Sequence, residues 1–324
     1  MNSQTKKNLS IGIKIAVVGL AFWFIFQKIS NNQNIDNFKS LLSTLSISSV
    51  LMIMTSVFLL MFLNWFIEAL KWQYLVSGIE KISTWKAVES VFCGLTWAVF
   101  TPNRIGEYGG RVFFLSPRKR IMGVIAMSVG AIGKMVITNV LGSLALLWFV
   151  IRFTGLNSFI DFGLGFLVLV FCSLFLLFYF NIKWVYGLLI KINFLKRFKH
   201  FFIILSRYKH SDILRILIYS LSRYLIFTTQ YFLIIHFLVP DIQVFDMVMI
   251  LFVFYFIQSA LPSLDLLDIG VRASVATYFF AFVTNQEIAI MAAIASIWLI
   301  NLIIPAILGS VFVLKLNFFG SSNN

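Results

Sequence analysis

Cysteine, histidine and acidic side chains are scarce in this chain of 324 residues, and each scarcity removes a class of function. The two cysteines, Cys93 and Cys172, both lie in apolar runs, so neither a disulfide framework nor a metal-ligand spacing follows from them. Three scattered histidines, His200, His210 and His236, argue against a histidine-based metal or catalytic cluster. The chain holds no Walker A loop, no Gly-x-Ser-x-Gly elbow, no His-Glu-x-x-His pair and no Cys-x-x-Cys. ATP drive within the chain is therefore not expected, nor is any cofactor. An enzyme would have to work with Asp, Glu and Arg alone, and Asp and Glu together number only 12.

What is abundant is apolar. Hydrophobic residues make up 60% of the chain, charged residues 12%, and the mean hydropathy is +0.95. These values describe an integral membrane protein. The long apolar runs lack the two-residue alternation of an outer-membrane barrel, so the expected fold class is all-α, and the 37 phenylalanines suit lipid-facing helix surfaces. The net charge of +14 is concentrated in loops, where the positive-inside rule places it. Topology rather than nucleic acid accounts for that charge. Basic loops are also drawn to anionic headgroups, by about 1 kcal/mol per residue near the surface.

Apolar segments fall near residues 9–28, 46–70, 84–101, 121–150, 159–182, 213–238, 244–261, 271–284 and 286–314. About 20 helical residues cross a hydrocarbon core. Segment 84–101 is marginal, with Lys86 and Glu89 in its first turns, and 271–284 is too short. The N-terminus has the basic start of a signal peptide, but Lys14 interrupts its apolar run and no small-residue cleavage site follows, so it is read as a retained first span.

Loop charge sets the orientation. The stretch 183–215 carries eight Lys and Arg residues and belongs in the cytoplasm, as does Pro117-Arg118-Lys119-Arg120. The loop with Asp241 and Asp246 belongs outside. With Lys6 and Lys7 inside, both flanks of 84–116 are cytoplasmic, which requires that segment to dip in and return. The same argument gives 244–284 a dip from the external side. The expected architecture is about six transmembrane helices plus two oppositely oriented re-entrant hairpins, an inverted repeat in a cytoplasmic (inner) membrane with both termini cytoplasmic. It divides into 1–45 (first span and external loop), 46–150 (first repeat, hairpin 84–116) and 151–212 (connecting span and basic loop). Residues 213–315 (second repeat, hairpin 244–284) and a polar tail at 316–324 complete it. The alternative is nine ordinary helices with a weaker charge rule.

Both hairpin tips combine proline, glycine and charge. In the first, Pro102 ends the incoming helix, and Gly106, Gly109 and Gly110 let the backbone turn and approach closely. Arg104 and Arg111 supply guanidinium forks suited to a phosphate, while Glu107 holds one of them or takes a cationic group. In the second, Pro262 terminates the helix, Asp265 and Asp268 precede Gly270, and Arg272 follows. Asp268 and Arg272 form either a local i, i+4 pair or, with Asp265, a carboxylate–arginine site that couples protons. Lys134 lies mid-span beside Gly130 and Gly133, at a depth where a lysine must face protein, water or an anion. Arg223, with Gln230, either supports the cavity or snorkels to the cytoplasmic surface. Glu68 and Lys71 beside Trp72 read as an interfacial ion pair with an aromatic anchor, and Glu287 and Asn301 are candidates by position only.

Thr101-Pro102-Asn103-Arg104-Ile105-Gly106-Glu107 resembles the Pro…Gly-Glu signature of the lysylphosphatidylglycerol synthase transmembrane region, a flippase-like family. Glu68-Ala69-Leu70-Lys71-Trp72 looks like its basic-Trp element, and Leu261-Pro262-Ser263 with Gly270-Val271-Arg272 resembles its second signature. The resemblance runs from about residue 45 to 315. Ala273 stands where that family usually has glutamate, Gly133-Lys134 where it often has Glu-Arg, and Asp265-Leu266-Leu267-Asp268 lengthens the glycine-rich link. The resemblance implies translocation of a charged lipid between leaflets: an anionic or aminoacylated phospholipid, or a polyprenyl phosphate. It further implies a stand-alone membrane region, without the synthase domain of bifunctional relatives, working beside a separate synthase or glycosyltransferase. On this reading Arg104, Arg111, Lys134 and Arg272 hold the headgroup, with Arg223 in support. A membrane-embedded lipid-linked transferase using Asp265 and Asp268, and a non-transporting scaffold for a partner enzyme, are the competing expectations.

Overall fold

A computed structural model describes residues 46–99, 101, 104–189, 191–192, 194, 199–261 and 269–314. Among them every regular element is helical. Helix α1 spans Ile47–Val76, α2 Thr84–Ala98, α3 Ile105–Val112, α4 Arg120–Phe153 and α5 Ser158–Phe180. Two short helices follow, α6 at Ile182–Leu189 and α7 at Lys199–Arg207. The remainder comprises α8 (His210–Leu238), α9 (Val244–Ala260), α10 (Ile269–Phe280) and α11 (Glu287–Trp298). A π-helical turn at Leu299–Ile303 joins α11 to α12, Ile304–Val313.

Local chemistry starts these helices where the chain needs them. Ser83 accepts the Lys86 amide at 3.2 Å ahead of α2, and Asn157 accepts that of Phe159 at 3.0 Å ahead of α5. Asp212 in the first turn of α8 reaches back to the Lys209 amide at 2.8 Å.

Four helical segments are long and apolar enough to cross a membrane: α1, α4 with its preceding turn, α5, and the continuous α11–α12 rod. This is consistent with an all-α membrane protein. Helix α8 has 29 residues, but Arg215, Arg223 and Gln230 keep it out of that set. The expected first span at 9–28, and the tip residues Pro102, Pro262, Asp265 and Asp268, lie outside the described residues. Helix α2 has 15 residues and α9 has 17, giving lengths of only about 22 and 26 Å. Each packs against its short successor, α2 on α3 and α9 on α10.

The packing of residues 47–153 is echoed in 210–313. Helix α1 contacts α2 and α4, as α8 contacts α9 and α11. Helix α2 lies on α12, at the end of the other half, and α9 lies on α4 in return; α1 and α8 pack on one another. Small residues at matching places allow the reciprocal contacts. A Cβ on Gly309 of α12 would fall 2.5 Å from Thr96 Oγ1 of α2, and one on Gly142 of α4 would fall 2.9 Å from Phe256 Cγ of α9. Thr96 also donates to the Ala306 carbonyl at 2.7 Å, bonding α2 to α12. Helix α5 differs: its residues are exposed or partly exposed, with Tyr179 its one buried residue, as suits a helix facing lipid.

Helices α2 and α3 meet backbone to backbone. A Cβ on Gly110 would lie 2.6 Å from Gly94 Cα, a clash that no rotamer relieves because the obstacle is main chain. Gly110→Ala should destabilise the protein by about 1–3 kcal/mol. Gly78, whose Cβ would meet nothing within 4 Å, is the control. Thermal unfolding in detergent should show Gly78→Ala close to the parent; equal midpoints for the two variants would remove the close approach from the account.

Outside the helices, Glu80 ties the α1–α2 loop to the α3–α4 connection. It accepts the Ser116 amide at 3.1 Å and faces Lys86 at 3.8 Å and Lys119 at 3.7 Å. Partial burial opposes ionisation, but that hydrogen bond and the two lysines hold its carboxyl below the ordinary range.

Candidate functional site

Asn64, Glu68 and Lys71 recur at i, i+4 and i+7 and form a polar stripe on the otherwise apolar α1. Glu68 is 6% exposed and Lys71 3%. The ion pair read from the sequence is present, but it is buried under helices α3 and α8 rather than exposed. The Glu68 carboxylate accepts from Lys71 Nζ at 2.7 Å, from Arg111 Nη1 of α3 at 2.7 Å, and from Arg223 Nη1 of α8. Three cations converge on one carboxylate.

Arg111 extends the network. Its Nη1 serves Glu68 while Nη2 serves Glu107 one turn back on α3, and Glu107 also accepts from Arg104 Nε at 3.1 Å. Arg111 is 2% exposed, so both of its ion pairs are shielded from water. Arg223 Nε donates to Asn64 Oδ1 at 2.9 Å and to the Asn64 carbonyl at 3.2 Å. Its guanidinium lies over the Trp65 ring at 4.8 Å, and that of Arg104 lies 5.9 Å from the same ring. Arg223 therefore points into the protein rather than snorkelling. Arg104 has a left-handed backbone, φ 58°, the only such non-glycine residue among those described. This conformation is costly for a side-chain-bearing residue and is held here directly before α3.

Two adjoining cavities open on this network, of about 140 and 210 Å³, and Trp65, Lys71, Arg104, Lys134 and Arg223 border both. The larger lobe adds Glu68, Glu107 and Arg111; the smaller adds Arg272, Asn301 and an aromatic wall. Six basic side chains thus line the site against two carboxylates, an excess of four positive charges among the described residues. Such an enclosure attracts anions, and its low-dielectric walls sharpen the field. Among the described residues no group of His, Cys, Asp and Glu could hold a metal ion.

Of the residues singled out from sequence, Arg104, Glu107, Arg111, Lys134, Arg223 and Arg272 come together around these lobes. Arg272 packs on Gln258 of α9, whose amide oxygen, turned toward the guanidinium, accepts from Nε and Nη1 at 2.8 Å each. Gly106, Gly109 and Gly110 sit inside α3 rather than in the turn. Gly106 and Gly110 permit close packing, whereas a Cβ on Gly109 would meet only Phe113 at 3.9 Å, and one on Gly270 would meet nothing within 4 Å. Those two glycines make no close approach to any described residue. Gln230 is fully buried and donates to the Val57 carbonyl at 3.0 Å, a structural bond between α8 and α1. Ala273 is buried in α10, and Glu287 is exposed in the first turn of α11.

Sequence reasoning missed Glu68 as the hub, and with it Asn64 and Trp65. The polar spacing 64, 68, 71 late in a 30-residue apolar helix was the available signal. No protein-family model, curated protein or solved structure matches this chain. Function is therefore argued from the site.

Proposed function

We propose that this chain is a lipid flippase or transporter that moves a phosphate-bearing lipid between the leaflets of a cytoplasmic membrane. The observation that carries this reading is the basic cavity, assembled from α1, α3, α4, α8 and α10, within a body of apolar helices. Taking a phosphate through hydrocarbon without replacing its water is prohibitive, and charged groups inside a membrane protein are retained where they serve such a path. Arg104, Arg111, Lys134, Arg223 and Arg272 replace that water while the lipid chains stay outside among the exposed apolar helix faces. Glu68 and Glu107 balance these cations when no cargo is present. Arg223 and Lys71 border both lobes and are bonded to Glu68, so an arriving phosphate takes over bonds that the carboxylate holds at rest.

In this reading α2–α3 and α9–α10 are re-entrant hairpins entering from opposite faces, and the two halves are inverted repeats. Their reciprocal packing and the short lengths of α2 and α9 support this arrangement. Rocking of one half against the other would expose the cavity to each leaflet in turn. The resemblance to the lysylphosphatidylglycerol synthase transmembrane region agrees with it through the motifs around Glu107 and Arg272.

The test is transport in proteoliposomes, with fluorescent phosphatidylglycerol in one leaflet and a membrane-impermeant quencher outside. The protein should accelerate the loss of protected signal, and Arg104→Ala and Glu107→Ala should each slow it at least about tenfold, the equivalent of about 1.4 kcal/mol. Rates equal to empty vesicles, or variants as fast as the parent, would overturn the reading in favour of a scaffold or enzyme.

A further inference from the structure

The six cations of the site divide into two sets. Lys71 and Arg111 are 3% and 2% exposed and lie against Glu68 and Glu107, so two buried cations are matched by two carboxylates. The other four, Arg104, Lys134, Arg223 and Arg272, keep accessible surface, and all four border the smaller lobe. They come from separate parts of the chain: Arg104 directly precedes α3, and Lys134, Arg223 and Arg272 stand on α4, α8 and α10. Among the described residues lining that lobe there is no carboxylate.

Arg104 and Arg223 also reach Glu107 and Glu68, but those two carboxylates offset two of the six charges and no more. Asp265 and Asp268, which precede Arg272 in the sequence, lie outside the described residues. Counted in full against the remaining excess of four, they still leave two positive charges. Like charges gathered between low-dielectric walls repel one another, and a cation withdrawn from water without a partner is costly. A bound anion relieves that cost in proportion to the charge it brings.

Phosphate groups in lipids differ in this respect. A phosphodiester, as in phosphatidylglycerol, carries a single negative charge and two free oxygens, with an ester bond on either side. A terminal phosphate monoester carries about two negative charges near neutral pH and three free oxygens, and a diphosphate carries more. Guanidinium and ammonium donors converging from four parts of the chain require free oxygens on several sides, which a terminal phosphate presents and a diester blocks. We propose that the smaller lobe takes a terminal phosphate, a monoester or diphosphate at the end of a lipid, rather than a phosphodiester. The assignment rests on the proposed anionic-lipid reading and narrows it, since two negative charges are the fewest that meet even the lower count. An aminoacyl ammonium would add charge of the wrong sign and is disfavoured here.

The experiment measures binding to the purified full chain in detergent by native mass spectrometry and thermal shift. Phosphatidic acid and phosphatidylglycerol with identical acyl chains are the central pair. Farnesyl phosphate presents the same terminal group on a prenyl chain, and inorganic phosphate presents it without a lipid. At about pH 8 phosphatidic acid should bind at least about tenfold tighter than phosphatidylglycerol, and at about pH 5, below the second pKa of about 6, that margin should shrink. Phosphatidylglycerol stays singly charged across this range, so it reports any titration of the protein itself. Arg272→Gln removes one charge from the smaller lobe alone and should weaken phosphatidic acid about tenfold and phosphatidylglycerol by less. Lys134→Gln, at an exposed position, should act in the same direction and reports even where Arg272→Gln unfolds. Either order of phosphatidic acid and farnesyl phosphate, both above phosphatidylglycerol, supports the terminal phosphate and identifies the chain that bears it. Phosphatidylglycerol binding as tightly as phosphatidic acid at both pH values overturns the assignment while the anionic-lipid reading stands. Binding of inorganic phosphate alone, or of nothing in the series, overturns both.

Discussion

Glu68→Gln should lower the stability of the protein by about 3–5 kcal/mol, the usual result of removing one partner from a buried ionic cluster. The size follows from the stoichiometry around the carboxylate. Lys71, Arg111 and Arg223 all bond to Glu68, and of these only Arg111 is also bonded to Glu107. Neutralising Glu68 leaves three cations in a shielded site with their mutual repulsion and only one carboxylate nearby. Glutamine preserves shape and volume, so packing loss does not contribute. The readout is the thermal unfolding midpoint in detergent, repeated with inorganic phosphate. Phosphate should stabilise the variant more than the parent, because an anion in the adjoining lobes supplies negative charge to Lys71, Arg111 and Arg223 that Glu68 no longer carries; at ten times its dissociation constant it would restore about 1.4 kcal/mol. A variant as stable as the parent would show that Glu68 does not compensate these cations. Destabilisation that phosphate leaves untouched would show that the lobes beside these cations do not bind anions.

Arg111→Ala should cost about 3 kcal/mol, less than Glu68→Gln because each carboxylate keeps another cation. Glu68 retains Lys71 and Arg223, and Glu107 retains Arg104. What disappears is the bridge between α1 and α3, together with the filling of a site in which Arg111 is almost wholly buried. Arg111→Lys should not restore it. One guanidinium donates through Nη1 to Glu68 and through Nη2 to Glu107, whereas an ammonium is a point charge on a flexible stem. A double-mutant cycle with Glu107→Gln should return a coupling of about 0.5–3 kcal/mol. Additive losses, or full rescue by lysine, would mean that the two contacts seen at Arg111 do not act together.

Much of this site was legible in the chain. Charge in a strongly apolar sequence is conspicuous, because every ion inside a membrane protein needs a reason to be there. Arg104, Glu107, Arg111, Lys134 and Arg272 could be picked out one by one on that ground. Proline, glycine and clustered charge likewise marked the breaks that separate α2 from α3 and α9 from α10. Glu68 escaped because, next to Lys71 and Trp72, it satisfies a local rule just as well at a membrane surface. An i, i+3 pair carries no information about what else reaches it.

Composition and hydropathy settle class and helix content, since apolar length and backbone hydrogen bonding in lipid act locally along the chain. They also mark which charges are out of place. Partnership is another matter. That Glu68 gathers cations from α1, α3 and α8, that Arg223 turns inward to Asn64 and Trp65, and that Asn301 faces an aromatic lobe depend on contacts between residues far apart in sequence. Ion pairs and cavities arise from distances in space, and only the packing of the two halves against each other brings those distances into range.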